Sequence, residues 1–135
     1  MRKIAVVTGA TSGIGQATAI KLAENGYDLV ITGRRAERLS ELEEKLRKIG
    51  ADVLSLCFDV RSFEQVKDNL GNLSGKWSDI DVLVNNAGGA LGKEPIQDGS
   101  IEDWDTMIDT NVKGLLYVTK TLLPKMCQNH KGHVV

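Results

Sequence analysis

The amino-acid sequence predicts an α/β protein in which a doubly wound parallel sheet is covered by helices on both faces. Short apolar runs of strand length alternate with amphipathic helical patterns along the chain, which is the signature of parallel βαβ units. A glycine-rich turn joins the first apolar run to the first helical pattern. The 135 residues contain no internal repeat or linker, so we expect one domain over residues 1–135.

Composition and charge argue against several classes of partner. The net charge is −1 and the basic residues form no concentrated stripe, which argues against nucleic acid. No apolar run approaches the roughly 18 residues of a membrane span, and the first residues lack the apolar core of a signal peptide, so we expect a cytoplasmic protein. Cys57 and Cys127 fall in no metal or redox spacing. We expect both to be small buried hydrophobic residues rather than disulfide-bonded or catalytic ones, and we expect no metal site.

The first βα unit contains the motif that organises the chain. Residues 4–7 have the composition of a buried parallel strand, and a helical pattern whose apolar positions begin at Ile14 follows. Between them, Gly9, Gly13 and Gly15 have the spacing G-x-x-x-G-x-G. Strand, glycine turn and helix together form the context of a phosphate-binding loop.

Each glycine of this turn has a physical role in that interpretation. Gly9 lets the chain turn sharply, Gly13 leaves room for a pyrophosphate, and Gly15 lets the helix pack closely on the strand. The N–H groups and partial positive charge of the helix N-terminus favour the phosphate. The alternative is a glycine-rich turn that binds no ligand, which the flanking strand and helix disfavour.

The remaining elements continue the alternation. Strands are expected at 28–32, 52–58, 81–84 and from 133 onward, and helices at 36–49, 62–73 and 100–126. The last helix begins with Ser100 to Asp103, which is similar to a capping box with Asp in place of Glu. It contains apolar residues over much of its circumference, and Pro124 would disturb only its last turns.

Four motifs in this order resemble those of the short-chain dehydrogenase/reductases. They are Thr8-Gly9-x-x-x-Gly13-Ile14-Gly15, Asp59-Val60, Asn85-Asn86-Ala87-Gly88 and Asp109-Thr110-Asn111-Val112-x-Gly114. The resemblance extends over the whole chain. It implies a Rossmann-type sheet that begins with strand order 3-2-1-4-5, and a nicotinamide cofactor across the carboxyl ends of the strands.

The resemblance also implies which residues bind the cofactor. The residues that correspond to the pyrophosphate cradle are Gly9, Ser12, Gly13, Ile14 and Gly15. The carboxylate of Asp59 would accept a hydrogen bond from the adenine amino group, and the Val60 backbone would donate one to the ring. The residues that would line the ribose side of the adenosine are Asn86, Ala87 and Gly88. The alternative for Asn85 or Asn86 is a structural role that ties neighbouring strand ends together.

Asn111 corresponds to the helix asparagine that holds a water in the proton relay of the family. A local break in the helix would free its carbonyl. The alternative is an asparagine in the middle of a helix that faces solvent.

The cofactor can be chosen by a charge argument. Enzymes that use NAD usually end the second strand in a carboxylate that binds the ribose 2′-OH and repels a 2′-phosphate. Here Gly33 takes that place and is followed by Arg34 and Arg35. Guanidinium groups favour a phosphate, whereas cations near a helix N-terminus are mildly unfavourable without one. We therefore predict NADP, with NAD as the alternative and ordinary surface charge as a further reading of the two arginines.

Within the family, three segments resemble the NADP-dependent serine and 3-hydroxy acid dehydrogenases. They are residues 32–39, 85–95 and 102–111. The resemblance implies reversible hydride transfer between NADP and the carbinol carbon of a short 3-hydroxy acid such as serine or 3-hydroxypropionate. Alternatives within the family are 3-oxoacyl and general carbonyl reductases. Family members also pair the helix corresponding to 100–126 between subunits, which implies a homodimer or homotetramer.

The family's general acid–base Tyr, its Lys and the Ser that polarises the substrate all lie after strand five, and hence beyond Val135. Neither Tyr27 nor Tyr117 has a Lys at the interval of the family's Tyr-x-x-x-Lys pattern. We expect solvated or structural roles, and not catalytic ones, for His130 and His133. Two hypotheses follow. The chain represents the cofactor-binding half of an oxidoreductase and is inactive alone, or it is a nucleotide-binding or assembly module without turnover.

Overall fold

A computed structural model describes residues 2–135. Within this range, five strands form one parallel sheet in the order β3-β2-β1-β4-β5. The strands are β1 (Lys3–Val7), β2 (Tyr27–Gly33), β3 (Val53–Cys57), β4 (Val82–Val84) and β5 (His133–Val134). Val6 of β1 is in register with Val30 of β2 and Leu83 of β4. The predicted strand order is confirmed, and each of the first four strands begins and ends within one residue of its predicted position.

The helices cover both faces of this sheet. They are α1 (Gly13–Glu24), α2 (Ala36–Ile49), α3 (Phe63–Leu70), α4 (Ile101–Ile108) and α5 (Leu115–Gln128). The bounds of α2 agree with the prediction, and Gly50 ends it in the left-handed conformation with φ 106°. Helix α3 ends three residues early because Gly71 and Asn72 are poor helix formers.

The long helix predicted over 100–126 is interrupted. A π-helical segment, Asp109–Gly114, separates α4 from α5, and this agrees with the local break that the family resemblance implied at Asn111. Gly114 within the segment packs against Val60, where an added Cβ would lie 2.7 Å from Cγ2 of that side chain. Single π turns inside α-helices often occur at functional sites.

Each face of the sheet has its own hydrophobic core. Val6 and Leu83 face a cluster that includes Val118 of α5, whereas Val7 and Ile31 face the cluster formed with α1 and α2. The central strands are therefore buried on both faces, as expected for a parallel sheet. No helix within residues 2–135 is long and apolar enough to span a membrane.

The buried face of α1 differs from the prediction. Its buried residues are the small ones at Gly15, Ala19 and Ala23, whereas the side chain of Ile14 is 78% exposed. At Gly15, α1 lies so close to the glycine turn that an added Cβ would overlap with the Gly9 carbonyl. Ile14 precedes Gly15 by one position, about 100° around the helix, and points away.

The prediction that Cys57 and Cys127 are buried is wrong, since both are free and exposed. Cys57 ends β3, which lies at an edge of the sheet and is covered less than the central strands. Cys127 follows Met126, the buried residue of the last turn of α5, and therefore faces outward. Composition suggested burial, but position within each element decided exposure.

A charge network lies at the amino ends of the strands, opposite the glycine turn. The buried carboxylate of Asp28 accepts hydrogen bonds from Arg2 Nε at 2.7 Å, Lys76 Nζ at 3.1 Å and the Asp52 N–H at 2.9 Å. Burial raises the pKa of Asp28, but these donors outweigh burial and hold the pKa below its ordinary value. The network ties β2 to the segments on either side of it.

Candidate functional site

The glycine turn between β1 and α1 lies at the carboxyl edge of the sheet. Gly9 has φ 59°, and a Cβ there would lie 2.7 Å from the Cα of Ala87, so both conformation and space favour glycine. Gly13 has φ 49°, and a Cβ there would meet no atom within 4 Å in residues 2–135. The space beside Gly13 is therefore open, as a site for a ligand requires.

Asn86 holds the turn in place. Its side-chain Nδ2 donates a hydrogen bond to the Gly9 carbonyl at 2.9 Å. The N–H groups of Asn86 and Ala87 both donate to Thr8 Oγ1 at 3.0 Å. A Cβ at Gly15 would overlap with the Gly9 carbonyl and the Asn86 amide. The end of β4, the turn and the start of α1 therefore form one closely packed unit.

Asn85, the neighbour of Asn86, turns toward α5 instead. Its Nδ2 donates to Thr119 Oγ1 at 3.0 Å, and its buried Oδ1 accepts no hydrogen bond from residues 2–135. Both asparagines therefore tie strand β4 to other elements, which is the structural alternative considered from the sequence.

A cleft of about 170 Å³ opens above the carboxyl ends of the strands. The predicted site residues that line it are Gly9, Ser12, Arg34, Arg35, Asp59, Val60, Ala87 and Gly88. The other predicted residues are not among those that line it: Gly13, Ile14, Gly15, Asn86 and Asn111. The structure thus gathers at one edge of the sheet predicted residues that lie as far apart in the chain as Gly9 and Gly88.

Sequence reasoning missed several residues of the cleft wall. Thr106, Met107 and Thr110 of α4 and the π segment line it, as does Leu91 from the loop after β4. The Leu91 N–H donates to the Met107 sulfur at 3.3 Å, which attaches that loop to α4. The spacing of Thr106 and Thr110 places them on one helical face, but nothing in the sequence indicated which face meets the cleft.

Two arginines directly precede α2 at the rim of the cleft. Arg34 and Arg35 are exposed, and Arg35 Nη2 donates to Thr11 Oγ1 at 3.3 Å. Gly33 before them is buried, and a Cβ there would lie 2.9 Å from Thr11 Cγ2. A carboxylate side chain at Gly33 would therefore displace Thr11. The rim has no carboxylate at this position, and Arg34 and Arg35 make it positively charged.

Asp59 contributes a carboxylate to the same cleft. Arg61 binds both of its oxygens, with Nη2 at 2.7 Å and Nε at 3.0 Å from Oδ2 and Nε at 3.2 Å from Oδ1. The hydrogen bonds from Arg61 outweigh partial burial and hold the pKa of Asp59 below its ordinary value, and the charge of Arg34 lowers this pKa further. Asp59 is thus ionised at neutral pH.

Asn111 is attached to the loop after β4. Its Oδ1 accepts a hydrogen bond from the Gly89 N–H at 2.9 Å, and its Nδ2 donates to the Gly89 carbonyl at 2.8 Å. A Cβ at Gly88 would overlap with the Asn111 amide. The Asn111 side chain is therefore bonded to protein rather than turned freely to solvent.

The tyrosines and histidines lie away from the cleft. The Tyr117 ring packs on Phe63 with ring centroids 5.3 Å apart. Tyr27 is the first residue of β2 and lies at the amino end of that strand, whereas the cleft lies at the carboxyl ends. Neither they nor His130 and His133 are among the lining residues. Residues 2–135 contain no group of three or more His, Cys, Asp or Glu side chains that could hold a metal ion.

Sheet order, the glycine turn and the cleft above the carboxyl ends define a protein of the Rossmann-like α/β class. The family model described as short chain dehydrogenase matches residues 3–135, and the chain belongs to this family. The NADP-dependent 3-hydroxy acid dehydrogenase of Salmonella typhi is 48% identical over 132 residues, which are 98% of this chain and 52% of the relative. The chain thus spans about half the length of the curated relatives it matches.

Solved structures have the same fold. The closed form of serine dehydrogenase complexed with NADP+ superposes with a TM-score of 0.91 at 45% identity, over 97% of this chain and 52% of that one. The NAD+-bound xylitol dehydrogenase superposes with a TM-score of 0.93 at 32% identity, over 98% and 51%. Backbone similarity alone therefore does not discriminate between NADP and NAD. The side chains of the cleft have to be compared for that purpose.

Proposed function

We propose that the cleft binds NADP and that the chain is the cofactor-binding part of an NADP-dependent oxidoreductase. The observation that carries this proposal is the charge at the end of β2. Gly33 takes the place where an NAD-binding site would have a carboxylate, and its packing against Thr11 disfavours any side chain there. Arg34 and Arg35, which follow it directly, line the cleft. The 3-hydroxy acid dehydrogenase relative named above is NADP-dependent.

The groups around the glycine turn fit a pyrophosphate. Helix α1 begins at Gly13, beside open space, and Ser12 before it is exposed, with no side-chain capping bond to residues 2–135. Its hydroxyl and the first N–H groups of α1, including that of Ile14, are free to bind an anion. In our proposal Gly9 and Gly15 shape the cradle, and Asn86 stabilises it through the Gly9 carbonyl.

The remaining residues of the cleft fit the adenosine and its 2′-phosphate. Arg34 and Arg35 would bind the phosphate through charge-assisted hydrogen bonds. The Asp59 carboxylate and the Val60 N–H would bind the adenine ring, and Ala87 and Gly88 would line the ribose.

Bound NADP would supply the acceptor for a hydride from an alcohol carbon. The substrate we favour is a short 3-hydroxy acid, since the relative from Salmonella typhi acts on this class and the NADP+-bound neighbour is a serine dehydrogenase. The general acid–base Tyr, the Lys and the Ser would come from outside residues 1–135. Asn111 would hold the relay water with its backbone carbonyl, because Gly89 occupies its side chain.

Calorimetric titration with NADP+, NAD+, adenosine 2′,5′-bisphosphate and adenosine 5′-monophosphate tests this proposal. We expect NADP+ to bind more tightly than NAD+, and the bisphosphate to retain most of the affinity of NADP+ because the adenosine half has its partners in the cleft. Absence of binding by all four ligands would overturn it. Hydride transfer from 3-hydroxy acids is expected only from a chain that also contains the Ser, Tyr and Lys.

A nucleotide-binding or assembly module without turnover is the second candidate function. What favours it is that neither Tyr27 nor Tyr117 is among the residues that line the cleft. NADP+ reduction by mass-verified 1–135 protein would exclude this candidate, and it would also contradict our assignment of the catalytic groups.

We also propose a homodimer or homotetramer formed through the helices within 100–126. Ile101, Ile108 and Leu116 are 69%, 53% and 57% exposed. An exposed apolar surface of this kind is typical of an interface between subunits.

A further inference from the structure

The cleft combines two groups of opposite charge. Asp59 lines the cleft together with Arg34 and Arg35, and the charge of Arg34 is close enough to lower the pKa of Asp59. An uncompensated carboxylate at this position would repel a phosphate bound by the arginines and would compete for Arg34. A site that uses the carboxylate for adenine and the arginines for phosphate therefore needs a third group that neutralises Asp59.

Arg61 meets this requirement. Its guanidinium binds both oxygens of Asp59, and its backbone N–H donates to Oδ1 at 2.9 Å. The turn that leads into α3 fixes both partners, because the Ser62 N–H donates to the Asp59 carbonyl at 3.1 Å and the Asp59 N–H to Gln65 Oε1 at 3.0 Å. The pair is therefore preorganised by residues adjacent in the chain.

Arg61 itself is not among the residues that line the cleft. Its guanidinium is bonded to the Asp59 carboxylate, and the charges of Asp59 and Asp109 both stabilise it. An effect of Arg61 on a bound ligand would thus be transmitted through Asp59.

We propose that Arg61 is a positioning residue that determines cofactor specificity by pairing with Asp59, so that the carboxylate faces adenine without opposing the 2′-phosphate at Arg34 and Arg35. This inference rests on the proposed NADP-binding function. It assigns the discrimination between NADP and NAD to three arginines, one of which does not touch the cofactor.

The test compares two probes that differ by the 2′-phosphate, adenosine 2′,5′-bisphosphate and adenosine 5′-monophosphate, in calorimetric titrations at low salt. Arg61→Ala is expected to weaken binding of the bisphosphate by roughly fivefold, because it leaves the charge of Asp59 uncompensated in the cleft that Arg34 and Arg35 line, and binding of the monophosphate by less than about twofold. Arg61→Lys should restore most of the preference. Lys67→Ala on α3 is a control with the same change in net charge, and it should leave the ratio of the two affinities unchanged.

The Asp59→Asn background separates an indirect role from a direct one. Without the carboxylate, Arg61→Ala should no longer change the ratio of the two affinities. A change in ratio that persists in this background means that Arg61 binds the phosphate itself, and equal losses for both probes mean that it is merely structural. Either result overturns the inference. Arg61→Gln replaces Arg61→Ala if thermal melting shows that the alanine variant does not fold.

Failure of the inference can be distinguished from failure of the proposed function. If the wild-type protein binds neither probe, both the proposed NADP site and the inference that rests on it are wrong. If the wild-type protein prefers the bisphosphate and Arg61→Ala keeps that preference, only the inference falls.

Discussion

The side-chain amide of Asn111 and the backbone of Gly89 form two reciprocal hydrogen bonds, at 2.9 Å and 2.8 Å. They join the π segment to the loop that follows β4, which contributes Gly88, Gly89 and Leu91 to the cleft. The π segment and the cleft wall are therefore coupled, and a change at Asn111 reaches the cleft through Gly89.

This coupling predicts a compensating pair of substitutions. Gly88→Ala should lower the free energy of unfolding by about 1–3 kcal/mol because the new Cβ overlaps with the Asn111 amide. Asn111→Ala should remove that overlap, so the double variant should be less destabilised than the sum of the two single variants. Urea unfolding measures all three. Additive losses would contradict the contact, and Asn72→Ala, at an exposed asparagine, is the matched control.

The two arginines at the rim should discriminate between the cofactors. Arg34→Ala combined with Arg35→Ala is expected to weaken NADP+ by about 1.5–3 kcal/mol for each charge-assisted hydrogen bond lost, and to weaken NAD+ far less because it has no 2′-phosphate. Calorimetric titration with both cofactors measures the difference. An equal loss of affinity for NADP+ and NAD+ would contradict the proposal that Arg34 and Arg35 bind the 2′-phosphate.

Substitutions of Gly13 and Gly15 should have different consequences. Gly13→Ala places a methyl group in open space at φ 49° and should cost about 1–2 kcal/mol of stability, while nucleotide affinity falls strongly because the cradle is filled. Gly15→Ala drives a Cβ into the Gly9 carbonyl and should chiefly destabilise the fold. Thermal melts with and without NADP+ separate the two effects. Unchanged NADP+ affinity in a folded Gly13→Ala variant would contradict the cradle.

The Asp28 network predicts sensitivity to acid. The pKa of Asp28 in the folded protein lies below its ordinary value of 3.8, so its stabilising contribution is present above that value and is lost as the pH falls through the folded pKa. Asp28→Asn should lower the free energy of unfolding by about 1–3 kcal/mol at neutral pH. The stability of this variant should then decline less steeply than that of the wild type as the pH falls. Urea unfolding at several pH values measures this, with the exposed Asp68→Asn as control. If the free energy of unfolding falls equally steeply with pH for the wild type and for Asp28→Asn, the stabilising role of the Asp28 network is contradicted.

The exposed apolar residues of α4 and α5 predict self-association. Ile108→Glu should shift the protein toward monomer, because a charge in a buried interface is left unpaired. Lys45→Glu on α2, the helix on the opposite face of the sheet, serves as a control that also introduces a glutamate. Multi-angle light scattering over a range of concentrations gives the mass. A wild-type protein that is monomeric at every concentration would contradict the interface.

Local patterns in the sequence were sufficient for the order and type of most elements. Apolar runs predicted the first four strands to within one residue, and helix α2 was predicted with its observed bounds because its apolar period and Gly50 are both local signals. The strand order 3-2-1-4-5 came from the family resemblance, and the sheet confirms it. The roles of the predicted site residues remain predictions, although eight of them line one cleft.

Tertiary structure decided which face of each element is covered and which side chains meet. Ile14, Cys57 and Cys127 are exposed because burial depends on which way a side chain faces within its element and on how fully neighbouring elements cover it, and composition encodes neither. The pairing of Asn111 with Gly89 joins residues 22 positions apart, and it exists only once α4 and the π segment pack beside the end of β4. The sequence alone therefore determined the alternating elements and the glycine turn, which depend on neighbouring residues. The walls of the cleft depend on contacts that form only when the sheet is complete.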